Sequence, residues 1–138
     1  MTESQISYKI IGAAIELHRL YGPGLLESAW RSSLAYELRA LGLKVEEEVS
    51  MPFVHKNLRM DVGYRLDLVV EGKVIVEIKN VEAILNVHEA QVLTYLKLSG
   101  IKLGLIINFN TPVLHKGIKR FVNKYEETDT FDKDAPSA

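Results

Sequence analysis

The stretch Val74–Asn80, VIVEIKN, constrains the fold more than any other part of the chain. Its β-branched, apolar character reads as a buried strand, yet it carries Glu77 and Lys79. Alternate side chains of a strand share a face. Glu77 and Lys79 therefore lie with Ile75 on one side, and Val74, Val76 and Ile78 on the other. A buried acid needs a compensating partner, so the neighbouring strand decides what this one is for.

That neighbour is Tyr64–Val70, joined to Lys73–Lys79 through Val70-Glu71-Gly72. A two-residue turn at Glu71-Gly72 pairs Asp67 with Val76 and turns it away from Glu77. A three-residue loop, with Gly72 left-handed, pairs Val69 with Lys73 and Asp67 with Ile75. Asp67, Glu77 and Lys79 then share a face, the two acids being diagonal neighbours roughly 7 Å apart. Leu66, Leu68, Val70, Val74, Val76 and Ile78 fill the other. The second register is preferred because it separates polar from apolar side chains.

The rest of the chain supplies layers for this hairpin. Ile6, Ile10, Ala13, Ala14, Leu17 and Leu20 recur at helical spacing over residues 4–20, and Tyr21-Gly22-Pro23-Gly24 ends that helix. A second helix is expected over 25–41, stopping before Gly42. Extended pieces follow at 44–49, at 51–55 with Pro52 marking an edge or bend, and at 59–62. A helix over 87–98 ends at Gly100, a buried strand covers 102–108, and a last short helix is expected over 116–124. The order implies an α/β domain, a mixed sheet flanked by helices.

With 138 residues the chain reads as one domain over 1–125 followed by an acidic tail, 126–138, expected to be disordered. The tail carries five acids and one lysine, so the body holds sixteen Lys and Arg against thirteen acids. This mild excess of positive charge is compatible with a polyanionic partner without being a nucleic-acid signature. No apolar run is long enough for a membrane span, and the N-terminus lacks the pattern of a signal peptide. The absence of cysteine excludes disulfides and thiolate chemistry. A cytoplasmic location fits these features.

Two carboxylates on one face can converge on a hard cation such as Mg²⁺, which takes oxygen ligands. A nearby ammonium can orient water or stabilise charge developing at phosphorus. Asp67 and Glu77 are thus candidate metal ligands and Lys79 a candidate catalytic group. The competing reading is a structural ion pair between Lys79 and one of the acids.

Asp67 followed by Glu77-Ile78-Lys79 resembles the D…(D/E)xK signature of PD-(D/E)xK nucleases. The chain more specifically resembles the GxxExxY family of small bacterial and archaeal proteins in that superfamily. The resemblance extends from Ile10 to Val122 and rests on several linked blocks. These are Gly24-Leu25-Leu26-Glu27-Ser28-Ala29-Trp30, Gly63-Tyr64-Arg65-Leu66-Asp67, Val87-His88-Glu89-Ala90-Gln91, Leu93-Thr94-Tyr95-Leu96-Lys97 and Leu105-Ile106-Ile107-Asn108-Phe109-Asn110. Trp30 stands where the motif has Tyr, and Leu66 where the superfamily name has Pro.

The resemblance implies a restriction-endonuclease-like core and hydrolysis of DNA or RNA phosphodiesters with Mg²⁺, or Mn²⁺, as cofactor. It places Glu27 at the site and makes Gln91-x-x-x-Tyr95 a Q-x-x-x-Y element beside it. Glu27, Asp67, Glu77, Lys79 and Gln91 are then the catalytic candidates, with Trp30, Arg65, His88 and Tyr95 as flanking or substrate contacts. The bland readings stay beside these: Glu27 as an acid suiting a helix N-terminus, and His88, Gln91 and Tyr95 as a solvated helical stripe. A nucleic-acid-binding or protein-interaction module keeping the fold without turnover is the alternative function. A homo-oligomer is compatible with so small a chain.

Overall fold

The computed structural model describes residues 1–123, and the acidic tail lies outside the described residues. Helix α1, Glu3–Tyr21, begins where Thr2 Oγ1 accepts the Gln5 N–H and the Gln5 side chain accepts the Thr2 N–H, a reciprocal cap. It ends at Gly22 with φ of 71°. A 3₁₀ turn, Gly22–Gly24, leads to α2, Glu27–Ala40. Strands β1 (Val45–His55), β2 (Leu58–Val70) and β3 (Val74–Lys79) follow, then α3 (Asn86–Ser99), β4 (Leu103–Asn108), a 3₁₀ turn at Leu114–Gly117, and β5 (Ile118–Val122).

The strands form one sheet in the order β1-β2-β3-β4-β5, antiparallel except for the parallel β3–β4 pair. That pair needs a crossover, which α3 supplies. Ile6, Ile10, Ala14 and Leu17 of α1 and Trp30, Leu34 and Leu38 of α2 pack on one face with Leu68, Val70, Val74, Val76, Ile78, Leu105 and Ile107. Val92, Tyr95 and Leu96 of α3 pack on the other face with Val69, Ile75 and Ile106. VIVEIKN is therefore covered on both sides, which explains its apolar character.

Three expectations are corrected. The extended pieces at 44–49 and 51–55 are one strand, as are those at 59–62 and 64–70, with a register shift between Met51 and Phe53. Pro52 falls at that shift, and a side chain at Gly63 would run into the Met51 carbonyl, so the bulge is accommodated by glycine. The last helix is instead the 3₁₀ turn and β5. Ile118, Phe121 and Val122 sit at spacings that suit a helix, but Ile118 packs on the first core and Phe121 on the second, as alternate sides of a strand require.

The third correction is the hairpin. Val70 pairs with Val74, Val69 with Ile75 and Leu68 with Val76, so the loop is Glu71-Gly72-Lys73. Both Glu71 and Gly72 are left-handed, at φ of 56° and 63°, and the Lys73 N–H donates to the Val70 carbonyl at 3.0 Å. The register is two residues from the expected one, which preserves side-chain parity and brings Asp67 level with Glu77. Leu66 leaves the expected apolar face and joins the second core.

Candidate active site

The β2–β3 ladder ends at Leu68 and Val76. One residue further from the turn, the Asp67 N–H donates to Glu77 Oε2 at 3.0 Å and the Ile78 N–H donates to Asp67 Oδ2 at 2.8 Å. Each carboxylate thus takes a main-chain donor of the opposite strand, replacing rungs that carbonyls would otherwise supply. The second oxygens, Asp67 Oδ1 and Glu77 Oε1, accept no hydrogen bond from the described residues and are not among the sealed, unpartnered atoms.

Burial governs the charge of this pair. Glu77 is 4% exposed, and desolvation with the Asp67 carboxylate beside it pushes its pKa up to about 8. The Asp67 N–H and Lys79 oppose that rise. Asp67 is also raised, first by burial and then by Glu27, against the stabilising Ile78 N–H, Lys79 and Arg31. Lys79 makes no ion pair among the described residues but acts on both acids through space. The structural ion pair considered above is absent there.

Glu27, the first residue of α2, faces the pair closely enough to raise both carboxylates. Tyr95 of α3 is 5% exposed, and its phenol is pushed up to about 12 by burial and then by Glu77 and Asp67. Its ring meets Tyr64 edge-on at 5.5 Å. Helix α2, strands β2 and β3, and α3 therefore each bring a side chain to one place.

The exit of β3 is fixed by polar contacts. The Phe109 N–H donates to the Lys79 carbonyl at 3.0 Å, and Asn80 Nδ2 donates to the Leu25 carbonyl at 3.2 Å, just ahead of α2. Asn108, buried, accepts the Val81 N–H through Oδ1 and donates to the Val81 carbonyl through Nδ2.

Other residues singled out in the sequence fall elsewhere. Trp30 is fully buried and stacks on Phe109 at 4.1 Å and 9°, so it is core. His88 Nδ1 accepts the Leu85 N–H at 3.0 Å, capping the start of α3. Gln91 is exposed one turn before Tyr95 and hydrogen-bonds to none of the described residues; Arg65 is exposed opposite Ser50.

The sequence reading missed Arg31 and Glu48. Arg31, one turn after Glu27, lowers Asp67 and pairs with Glu48 at 3.3 Å and Glu47 at 3.9 Å. Glu48 is left-handed, at φ of 51°, where the β1–β2 ladder skips a pair beside Asp67. The Glu46-Glu47-Glu48 run and the i+4 spacing of Glu27 and Arg31 were visible in the sequence; the backbone conformation was not.

The class this arrangement defines is an α/β fold with a candidate acid–acid–lysine site across β2 and β3 of a mixed sheet. The profile of the PD-(D/E)XK nuclease superfamily matches residues 4–121. The chain belongs to that superfamily. No curated protein and no solved structure matches it.

Proposed function

We propose that the chain is a Mg²⁺-dependent nuclease of the GxxExxY group, hydrolysing phosphodiester bonds of DNA or RNA at Asp67, Glu77 and Lys79. The observation that carries this reading is the reciprocal hold on the two carboxylates. Each has one oxygen fixed by a strand amide and the other left open. Superfamily membership supports nucleic acid as the substrate.

The donor set fits a hard divalent cation. The Asp67 carboxylate raises the buried Glu77 beside it, and Asp67 and Glu77 would hold a cation that relieves that repulsion. Among the described residues no group of three or more His, Asp or Glu could hold a metal unaided. Mg²⁺ is commonly held by one or two carboxylates plus waters and substrate phosphate. When bound, the ion polarises a phosphoryl oxygen and lowers the pKa of a coordinated water.

The chain's own residues do the remainder. The amides of Asp67 and Ile78 fix the direction of both carboxylates. Lys79, with no ion-pair partner among the described residues, offers its ammonium to the phosphate or to the attacking water. Tyr95 keeps its phenolic proton across the neutral range and can donate it to a phosphate oxygen. Glu27 contributes a further negative group for a water or cation at the mouth of the site. Gln91, exposed on α3, would meet substrate instead of the acids.

Single- and double-stranded DNA and RNA, incubated with Mg²⁺ or Mn²⁺, test the reading. Metal-dependent cleavage that vanishes in both Asp67→Asn and Lys79→Met is the expected result. Cleavage surviving in both variants would refute the site. Nucleic-acid binding without cleavage by the wild type would favour the non-catalytic module.

A further inference from the structure

Gly12 stands in the middle of α1, where glycine is the poorest residue other than proline. No contact among the described residues requires it. A Cβ added there would meet no atom within 4 Å. It is exposed on α1 and lines, with Tyr8, Lys9, Leu20 and Leu41, a groove of about 1100 Å³. The same face exposes Tyr8 at 82% and Leu20 at 70%. A bare helical backbone flanked by exposed apolar side chains suits the close approach of another helix.

We propose that this face pairs with a second copy of the chain, through two antiparallel α1 helices related by a two-fold axis between Gly12 and Ala13. The charges on the face identify the occupant. Gln5, Lys9, Gly12, Glu16 and Leu20 follow one another at spacings of three and four along the helix. A two-fold axis between Gly12 and Ala13 sets Lys9 opposite Glu16 of the second copy, and repeats the contact in reverse. It also sets Gln5 opposite Leu20 of the second copy and brings Tyr8 toward the same apolar end. The face is therefore complementary to itself in charge, as a closed two-fold contact requires. Glu16 is 71% exposed and, among the described residues, is bound only to Arg19 on its own helix, which leaves it available to Lys9.

The pairing uses no residue of the acid site and does not depend on the nuclease reading. Sedimentation and light scattering of the full chain across the micromolar range test it. The expected wild-type particle has twice the mass of the 15.6 kDa chain. Lys9→Glu sets like charges across the axis and should weaken the dimer roughly tenfold. Lys9→Glu with Glu16→Lys should restore it. Gly12→Leu, whose Cβ meets no described atom within 4 Å, should give a folded monomer by circular dichroism. A wild type that stays monomeric throughout, or a dimer indifferent to both Lys9→Glu and Gly12→Leu, overturns the proposal. Failure of the double exchange to restore pairing overturns the antiparallel register.

Discussion

Asp67 and Glu77 hold one another's strands: the Asp67 N–H donates to the Glu77 carboxylate, and the Ile78 N–H donates to the Asp67 carboxylate. The two acids stand level on adjacent strands, each fixed by one oxygen. Their charge is costly because Glu77 is buried beside Asp67, and that cost can be measured.

Stability should fall as pH rises. Glu77 titrates at 4.5 in the unfolded chain and at about 8 in the fold, so between those values the folded state holds the extra proton. Its contribution is fully present below 4.5 and is lost as pH climbs through about 8. The swing is on the order of 3–5 kcal/mol. Thermal melts in a chelator should show it for the wild type and not for Glu77→Gln, and Mg²⁺ should raise the wild-type Tm most at the alkaline end. A flat wild-type profile would contradict the raised pKa.

Asp67→Asn and Lys79→Met should each lower metal-dependent cleavage by about a hundredfold or more. Their melting temperatures should stay close to the wild type at neutral pH. Parallel collapse of stability and activity would mean that these residues serve the fold alone.

Trp30 should behave as a core residue. Trp30→Ala removes the Phe109 stack and should cost about 3–5 kcal/mol. Trp30→Tyr keeps a stacking ring and should cost about 1–2 kcal/mol, with its hydroxyl the poorer fit. Denaturant titration reads both. Full cleavage activity in Trp30→Tyr is expected, since Trp30 is fully buried in the first core and stacked on Phe109.

Gly63→Ala should destabilise the far arms of β1 and β2 by roughly 1–3 kcal/mol, because the new methyl meets the Met51 carbonyl. Hydrogen exchange should localise the loss near Met51 and Tyr64, leaving the amides of Asp67 and Ile78 protected. Loss of protection at those two amides would show that the bulge and the site open together.

Much of this was legible in the sequence because it depended on parity. Whichever odd-residue loop closes the hairpin, Asp67 and Glu77 share a face, so the acid pair was found although the register was two residues off. The register itself depends on Glu71 joining Gly72 in the left-handed region, where a glutamate has no intrinsic preference. β5 was misread because Ile118, Phe121 and Val122 satisfy a helical period as readily as a strand packed on two faces. Trp30 and His88 looked functional because an aromatic or imidazole gives no sign in sequence of whether it faces a core, a helix end or a site. Arg31 and Glu48 were missed because their partners are far along the chain.

The division of labour within each carboxylate has an evolutionary consequence. One oxygen supports the sheet and the other remains open to chemistry. An amide in place of the acid keeps a carbonyl oxygen for the strand N–H and discards the negative charge. Asp-to-Asn and Glu-to-Gln each need a single base change in the gene. A lineage that uses these acids for cleavage, as proposed, can therefore surrender that chemistry in one mutational step while its architecture persists, leaving a scaffold ready for another use.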